Sequence, residues 1–344
     1  MSHYAPALKH LLIGQDLDED TAGHLLEELL GGALGPGRSA AALTALAAKG
    51  ENAIEIAAFA QAIRRHARSV RATGLVFDSS GTGGSGLTTL NVSTLVAFTC
   101  AAAGVRVAKL SHRANSGACG SLDVLEHLGV HTDLTSAQIE RLLGELGVAI
   151  LDARVHHPQL LPLATLRKSL GFRTILDLVA PLCNPAGPTH QLIGVPDQRL
   201  GPLMIGALRR MGVKRAMVVA GEEGMDEISM ATGTRYWELY DNGTTDEGLM
   251  LPEDFGLKRA PFGQMAGGTV ARNAEGFLAL LRGEDVGPRR DLVLLNAGAA
   301  LYVAGRAGDI EEGVDKAREL IKRGEVQRLF LRYRSQTAAL SEGV

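Results

Sequence analysis

The sequence predicts an α/β protein with two parts. Residues 1–70 would form a small helical domain, and residues 71–344 a large α/β domain with a mainly parallel central sheet covered by helices. Three observations favour this fold. The first part carries helical patterns only, whereas short β-rich runs alternate with helical stretches afterwards, which is typical of parallel sheets covered on both faces. Glycine is abundant and aromatic residues make up only 4%, a composition that suits close packing of helices on a sheet.

The helical part is predicted from two periodic segments. DLDEDTAGHLLEELLGG, residues 16–32, opens with acidic residues and closes with glycines, which are start and stop signals for a helix. NAIEIAAFAQAIRRHAR, residues 52–68, repeats the apolar stripe and ends in basic residues. We expect a helical segment near residues 165–190 to join this small domain.

The strands of the large domain are predicted from four runs: GLVF, VRVAKL, AILDA and RAMVVAG. A loop-rich segment, LPEDFGLKRAPFGQMAGG, follows residue 245. It should precede two further helices, DLVLLNAGAALYVAGRAG and DIEEGVDKARELIKRG.

The glycine-rich stretch GTGGSG, residues 81–86, follows the first predicted strand and precedes a helix that should begin near NVST. Glycines let backbone N–H groups face an anion, and a helix N-terminus adds partial positive charge. We expect Asn91, Ser93 and Thr94 to cap this helix or to contact phosphate or metal. A tight strand–helix turn that binds nothing explains the glycines equally well.

A second polar loop, KLSHRANSGACGSLD, favours the binding interpretation. Lys109 ends a predicted strand, at the edge where open α/β sheets bind ligands, and Arg113 follows closely. Small residues then lead into another helix: Ser116, Gly117, Gly120 and Ser121. Two adjacent anion sites suit a ligand with two phosphate groups. The alternative for Lys109 and Arg113 is a solvated surface pair. Cys119 is read as a small buried residue rather than a reactive thiol.

Two further sites are predicted, one for a metal ion and one for the carboxylate of a ligand. Asp226 and Glu227, in EEGMDE, could hold Mg²⁺ if a polyphosphate supplied further oxygens, although an acidic surface turn is the alternative. Arg167 lies in a predicted helix, and its planar guanidinium suits a carboxylate unless it merely extends to solvent. His156 and His157 are adjacent and should face different ways, so we do not predict a metal pair.

Composition excludes several classes of protein. The net charge is −3 and there is no long basic run, which argues against nucleic acid as the partner. No apolar run reaches the ~18 residues that a membrane helix needs. The three cysteines are widely spaced and the N-terminus MSHYAPALKH lacks signal-peptide architecture, so we expect a reduced, cytoplasmic protein.

Taken together, these motifs resemble the anthranilate phosphoribosyltransferase family of tryptophan biosynthesis. The matching order is GTGGSG, NVST, KLSHRANSGACGSLD and GMDE, joined by RKSLGFRTILDLVAPLCNPAGP, LPEDFGL and RRDLVLLNAGAALYVAGRAGDIEEGVDKA. The resemblance implies the fold shared with pyrimidine nucleoside phosphorylases and a homodimer formed through the helical domain. It also implies that a phosphoribosyl group passes from phosphoribosyl pyrophosphate, held with Mg²⁺, to the amine of anthranilate. A hinge between the domains should exclude water.

The family's residues carry over by position. Lys109 and Arg167 are the expected catalytic residues, with Arg167 holding the aromatic carboxylate, and Ser93, Asp226 and Glu227 would serve the metal. The whole substrate-binding set expected is Gly81, Gly84, Ser85, Thr89, Asn91, Val92, Ser93, Thr94, Lys109, His112, Arg113, Ser116, Gly117, Ser121 and Arg167.

The chain departs from the family mainly on the acceptor side. The family's K-H-G-N-R reads Lys-Leu-Ser-His-Arg here, so Leu110 replaces its histidine and His112 stands where its asparagine contacts anthranilate. Ala118 and Ser85 replace a lysine and an aspartate, and residues 153–157 also differ. His112 could donate to a carboxylate or accept from the amine.

Three alternatives to anthranilate transfer therefore stay open. The same transfer could serve another aromatic or heterocyclic acceptor, because the acceptor loop is changed. Nucleoside phosphorolysis would fit the fold, but the paired acids favour pyrophosphate and metal. A catalytically silent relative that binds nucleic acid would be identified by salt-sensitive DNA binding without phosphoribosyl pyrophosphate binding.

Overall fold

The computed structural model describes residues 2–87, 89–113 and 119–342. The N-terminal part is a bundle of helices, as predicted. Its caps explain where the helices begin: the Asp18 side chain accepts a hydrogen bond from the Thr21 N–H, and Asn52 and Glu55 form a reciprocal capping box. The four helices are α1 (Tyr4–Leu12), α2 (Glu19–Leu30), α3 (Gly35–Lys49) and α4 (Ala53–Arg65).

One mainly parallel sheet forms the centre of the second part. Within the described residues it has seven strands in the order β3-β2-β1-β4-β5-β6-β7. Strands β1 to β5 run parallel to one another. β6 is antiparallel to β5, and β7, which is antiparallel to β6, forms one edge of the sheet. The strands are β1 (Phe77–Gly81), β2 (Val107–Ser111), β3 (Val148–Asp152), β4 (His190–Gly194), β5 (Arg215–Gly221), β6 (Thr234–Leu239) and β7 (Thr245–Met250).

Helices cover this sheet and also connect it to the bundle. α5 packs on β1 and β2, and α13 packs on β4. α4 of the bundle packs against α10 and α11, while α3 contacts α9. The helices are α5 (Val92–Ala102), α6 (Ser121–His127), α7 (Ser136–Leu146), α8 (Ala153–His156), α9 (Leu161–Leu170), α10 (Ile175–Val179), α11 (Gly201–Arg210), α12 (Val270–Leu281), α13 (Pro288–Val303), α14 (Ile310–Lys322) and α15 (Glu325–Glu342).

A cluster of aromatic side chains lies in the core between α5 and the C-terminal helix. Phe98 on α5 meets Phe330 and Tyr333 on α15 edge-to-face, each at 5.3 Å between ring centroids. The backbone N–H of Ile150 donates to the Tyr333 hydroxyl. The C-terminal helix is therefore fixed to the sheet through its buried face.

Several elements differ from those predicted. The first strand begins at Phe77, where the GLVF run ends, because DSSG pairs residue by residue with β4. Strands β4, β6 and β7 were missed, because β4 (HQLIG) and β6 (TRYWEL) begin with polar residues and β7 (TDEGLM) is mostly polar and exposed. Two additional helices, α12 and α15, accompany the two predicted ones. In α15 the apolar signal is sparse, because its fully buried positions are mainly Val326, Phe330 and Tyr333.

Candidate active site

A polar cavity lies at the carboxyl ends of β1 and β2, the edge at which open α/β sheets bind ligands. It encloses about 1170 Å³ of free space, part of it open to solvent. The glycine-rich loop forms one wall, the end of β2 another, and the start of α6 a third. A smaller recess beside it reaches Asp226 and Glu227 and shares Asn91, Ser93 and Ser121 with the main space.

The glycine-rich loop is shaped to contact Asp226. Gly83 has a φ of +70°, a conformation that side chains rarely adopt, and its N–H donates to Oδ2 of Asp226 at 3.0 Å. Gly81 and Gly194 end the paired strands β1 and β4 directly below this carboxylate. The close approach of Asp226 therefore requires glycine at position 81, whereas the positive φ of Gly83, Gly84 and Gly86 favours glycine in the rest of the loop.

The two acids of this turn repel each other in a confined space. Burial raises the pKa of Glu227 well above its ordinary value, and the neighbouring Asp226 carboxylate raises it further. Burial also raises the pKa of Asp226, although the Gly83 N–H opposes that shift. Oε2 of Glu227 is buried and has no hydrogen-bond partner within the described part of the chain. Both acids would be stabilised by a cation.

Lys109 lies on the floor of the polar cavity and is only 2% exposed. Its Nζ donates to the backbone oxygen of Ser79 at 2.6 Å. Burial lowers the pKa of Lys109, while Asp78 and Glu227 oppose the shift. Burial raises the pKa of the neighbouring Asp78 to about 6, and Asn184 donates a hydrogen bond to Asp78 at 2.7 Å. The Lys109 ammonium offsets the negative charges of Asp78 and Glu227.

Of the three residues predicted at the start of α5, only Asn91 and Ser93 line the cavity, and the helix has no side-chain cap. Asn91 occupies the N-cap position without a side-chain bond to the helix. Its Oδ1 instead accepts a hydrogen bond from Nδ2 of Asn273 on α12 at 3.2 Å. Thr94 is fully buried, and its hydroxyl has no hydrogen-bond partner among the residues described. Ser93 is half-buried and faces the cavity.

An apolar cavity adjoins the polar one, between the helical bundle and the end of the sheet. It encloses about 650 Å³ of free space, part of it open to solvent. Ile63 reaches it from α4, and the other apolar side chains come from β2 and from the segments around α9 and α10. Four basic side chains also line it: His112, Arg154, His157 and Arg167.

Both arginines of the apolar cavity are paired with carboxylates. Nη2 of Arg167 contacts Oδ1 of Asp177, and Nη2 of Arg154 lies 2.8 Å from Oδ2 of Asp152. The Arg167 and Asp177 side chains are each about one-quarter exposed. Nε of Arg167 is buried and has no hydrogen-bond partner among the described residues.

His112 lies where the two cavities meet. It lines both, as does Leu110. The ring is open to the cavities, but the surrounding protein desolvates it, and the charges of Arg167 and Lys109 add to that effect, which lowers its pKa to about 4. The imidazole is therefore neutral at physiological pH and can accept a proton or a hydrogen bond.

The structure brings together most of the residues predicted to bind substrate or metal. The polar cavity and its recess are lined by Gly81, Gly84, Ser85, Thr89, Asn91, Val92, Ser93, Lys109, His112, Ser121, Asp226 and Glu227. Arg167 lies in the adjoining apolar cavity. Ser116, Gly117 and the substituted Ala118 lie outside the described residues.

Arg113 does not join this group. Its guanidinium pairs with Glu126 on α6 and lies 3.5 Å from Asp123 and 4.0 Å from Asp152. These carboxylates occupy the side chain, so in this conformation it links β2 to α6. The alternative of a solvated surface pair is also wrong, because Lys109 is buried.

The cysteine and the two histidines singled out in the sequence play modest parts. Cys119 lines the polar cavity but is only half-buried, which corrects the expectation of a buried residue. Burial raises the pKa of its thiol. His156 and His157 are both buried, and only His157 lines the apolar cavity. Within the described ranges, no three His, Cys, Asp or Glu side chains are grouped to hold a metal.

Several residues of the site escaped sequence analysis. Asp78 and Asn184 form the buried polar floor beneath Lys109. Asn296 on α13 supports the acidic turn, because its side chain bonds both the N–H and the C=O of Ile228 at 2.9 Å. Asp177 pairs with Arg167. A usable signal was the set of polar residues directly after the GLVF run, since polar side chains at buried strand ends mark a site.

The residues present fit a divalent cation bound together with a polyphosphate. Asp226 and Glu227 supply carboxylate oxygens, one of which is buried without a partner, and the Ser93 hydroxyl faces the same space. Two adjacent carboxylates alone leave most ligand positions to the substrate and water. No helix in the described part of the chain has the length and apolar character to cross a bilayer.

Comparison with known proteins identifies the class of protein to which this chain belongs. Residues 5–67 match the helical bundle domain of a glycosyl transferase family, and residues 73–327 match the a/b domain of a glycosyl transferase family. The fold and these two matches define a glycosyl transferase with a helical bundle and an α/β domain.

The relatives narrow this class. An anthranilate phosphoribosyltransferase of Desulfitobacterium hafniense is 43% identical over 311 residues, covering 90% of this chain and 92% of the relative. One of Deinococcus radiodurans is 42% identical over 334 residues, covering 96% and 98%. The chain therefore belongs to the anthranilate phosphoribosyltransferase family, whose members are pentosyltransferases.

Solved structures agree on the fold. The crystal structure of anthranilate phosphoribosyltransferase from Thermus thermophilus superposes with a TM-score of 0.90 at 39% identity, covering 96% of this chain and 99% of that one. The enzyme from Saccharomyces cerevisiae, in complex with PRPP and Mg, gives a TM-score of 0.88 at 24% identity, covering 98% of each chain. At that identity the yeast enzyme supports the fold alone.

Proposed function

We propose that this protein transfers the 5-phosphoribosyl group from phosphoribosyl pyrophosphate to the amine of anthranilate, releasing pyrophosphate, as a step of tryptophan biosynthesis. One observation carries the proposal. A polar, glycine-lined cavity with Lys109 and two acids opens beside His112 onto an apolar cavity that contains Arg167. Such a junction suits a reaction between a phosphorylated donor and an aromatic acceptor.

The donor occupies the polar cavity in this proposal. Backbone N–H groups of the loop from Gly81 to Gly86 and the start of α5 face the phosphate groups. Lys109 adds positive charge beneath them, and Ser93 and Ser121 offer hydroxyl groups from two helices. Ser116 and Gly117 remain predicted contributors from the loop outside the described residues. Arg113 would contribute only if it left Glu126.

Mg²⁺ is the proposed cofactor. Asp226, Glu227 and the Ser93 hydroxyl would hold it with phosphate oxygens. When bound, it supplies charge neutralisation for the departing pyrophosphate. The raised pKa values of both acids support this assignment, because a cation would favour their ionised forms.

The protein's own groups then act on charge and position. Departure of pyrophosphate builds negative charge, which Lys109 and the backbone N–H groups stabilise. The nucleophile is a neutral aromatic amine, so positioning matters more than a strong base. His112 is neutral and borders both cavities, so it is placed to accept a hydrogen bond from the amine. Arg167 would orient the acceptor's carboxylate through its remaining N–H groups.

Three organisational features belong to the same proposal. The boundary between the domains is placed near residue 70, with the 165–190 segment joined to the bundle through the packing of α10 on α4 and α9 on α3. A homodimer through the bundle is supported by the exposed Leu12 and Ile13, at 70% and 69%. A cytoplasmic location is supported by the free thiols.

The proposal is tested by following the fluorescence of anthranilate with purified protein, phosphoribosyl pyrophosphate and Mg²⁺. Turnover that stops on chelation of Mg²⁺ is expected. If anthranilate is not consumed although calorimetry shows donor binding, the acceptor assignment is wrong. If the donor does not bind either, the transferase assignment fails.

A further inference from the structure

The two arginines that line the apolar cavity are each paired with a carboxylate. Two guanidinium groups line the cavity, and each has its own carboxylate partner: Asp177 for Arg167, and Asp152 for Arg154. The two histidines there carry no charge near neutral pH. Desolvation by the surrounding protein is the main cause that lowers the pKa of each to about 4. The charge of Arg167 is therefore offset by the Asp177 carboxylate before an anionic acceptor approaches it.

Asp177 is held firmly in its position. Its Oδ2 accepts hydrogen bonds from the N–H of Thr174 at 2.8 Å and from the Thr174 hydroxyl at 3.0 Å, which form the capping box at the start of α10. The other carboxylate oxygen contacts Arg167. Because α10 fixes this carboxylate, Asp177 cannot move away from Arg167 without disturbing the cap.

We infer that Asp177 is a specificity-determining residue. It balances the charge of Arg167, so that the site accepts an uncharged aromatic amine nearly as well as an aromatic amine that carries a carboxylate. This inference rests on the proposed phosphoribosyl transfer and deepens it. The acceptor class becomes aromatic amines with a small polar group beside the amine, either a carboxylate or a carboxamide. The apolar lining binds the ring in both cases.

The mechanism is electrostatic. A carboxylate that approaches Arg167 is attracted by the guanidinium and repelled by Asp177, so little net attraction remains. A carboxamide gains hydrogen bonds to Nε of Arg167 without that repulsion. Asp177 acts through Arg167 and is therefore a positioning residue.

The test compares anthranilate with 2-aminobenzamide, its uncharged counterpart. For the unaltered protein, kcat/KM for the two amines should agree within about tenfold. Asp177→Asn should raise the anthranilate preference by about tenfold or more, through a lower KM for anthranilate. Asp177→Glu keeps the charge and should keep the original ratio.

Thr174→Ala is the matched control, because it weakens the cap while the ion pair remains. It should lower thermal stability and leave the preference unchanged. A preference in Asp177→Asn that stays the same or moves towards the amide overturns the inference. So does an equal shift in Thr174→Ala.

Equilibrium binding of the two amines, followed by their own fluorescence, separates the inference from the proposed function. If neither amine is consumed, the transfer proposal fails, but the binding ratio still decides the role of Asp177. A tenfold change in that ratio between the unaltered protein and Asp177→Asn supports the inference, and an unchanged ratio rejects it.

Discussion

Gly81 lies directly against Asp226: a β-carbon added to Gly81 would lie only 2.3 Å from Oδ2 of that residue. A β-carbon added to Gly194, on the neighbouring strand, would lie 1.6 Å from the backbone oxygen of Asp226. The acidic turn is therefore seated on two strand ends that have no side chains. The first glycine of GTGGSG serves the position of an acid 145 residues later in the chain as well as the shape of its own loop.

Gly81→Ala should consequently impair catalysis more than folding. The added methyl group displaces the Asp226 carboxylate, and a shift of about 1 Å in such a group reduces kcat/KM by about 100-fold. Steady-state kinetics with varied phosphoribosyl pyrophosphate and Mg²⁺ measure this effect. Gly144→Ala in α7 is the control, because no atom lies within 4 Å of the added β-carbon. Similar kinetics for the two variants would contradict the displacement.

Glu227→Gln should stabilise the protein without ligands and abolish its response to Mg²⁺. The raised pKa of Glu227 means that its ionised form is unfavourable in the fold. Removing the charge should raise the free energy of unfolding at pH 7 by about 0.5–2 kcal/mol. This advantage should vanish near pH 4, where the carboxyl group of the unfolded chain also becomes protonated.

Urea unfolding at both pH values measures this advantage, and thermal melts with Mg²⁺ and phosphoribosyl pyrophosphate measure the ligand response. Glu222→Gln is the control, since Glu222 is exposed in the same turn. If Glu227→Gln is less stable than the unaltered protein at pH 7, the ionised carboxylate is favourable in the fold and the electrostatic account is wrong.

The general plan of fold and site could be predicted because it depends on local signals. Alternating strands and helices indicated the mainly parallel sheet, and polar loops after strands indicated the ligand edge. The acidic turn after β5 was found for the same reason. In each case the residues predicted to bind the ligand follow the end of a strand, and a parallel sheet brings the carboxyl ends of its strands together.

The remainder depends on contacts that no local pattern encodes. Asp177 lies ten residues after Arg167, yet the pairing requires the particular turn between α9 and α10. Arg113 was assigned to phosphate, but carboxylates of α6 surround it, and only tertiary packing reveals them. The start of β1 was misplaced because its buried residues Asp78 and Ser79 are polar. Polar groups at such a buried position belong to the site and mask the strand pattern.

His157 should make the protein acid-sensitive. Burial lowers its pKa to about 4, below the value near 6.5 in an unfolded chain. Between these values the unfolded chain binds the extra proton, so stability is complete above pH 6.5 and falls as the pH drops to 4, by about 3 kcal/mol. His157→Gln should lose about 3 kcal/mol less over this range. Urea unfolding at pH 7, 5.5 and 4 measures the difference, and parallel curves for both proteins would refute it.

Cys119 should be the thiol that reports occupancy of the polar cavity. Cys100 and Cys183 are buried, and burial raises the pKa of both thiols, that of Cys183 to about 12. Cys119 is half-buried and faces the cavity. A disulfide reagent such as 5,5′-dithiobis(2-nitrobenzoate) should therefore modify one thiol in the folded protein and three after denaturation, and phosphoribosyl pyrophosphate with Mg²⁺ should slow the first reaction.

Cys119→Ser separates protection from catalysis. In the unaltered protein, burial raises the pKa of the Cys119 thiol. The thiol makes only long contacts, 3.9 Å to Oδ1 of Asn91 and 3.7 Å to the Gly120 oxygen. The variant should thus lose the fast-reacting thiol and keep kcat within about threefold, because these contacts are too weak to position the donor. A loss of turnover of about 100-fold or more would instead place the thiol among the groups that act on the donor.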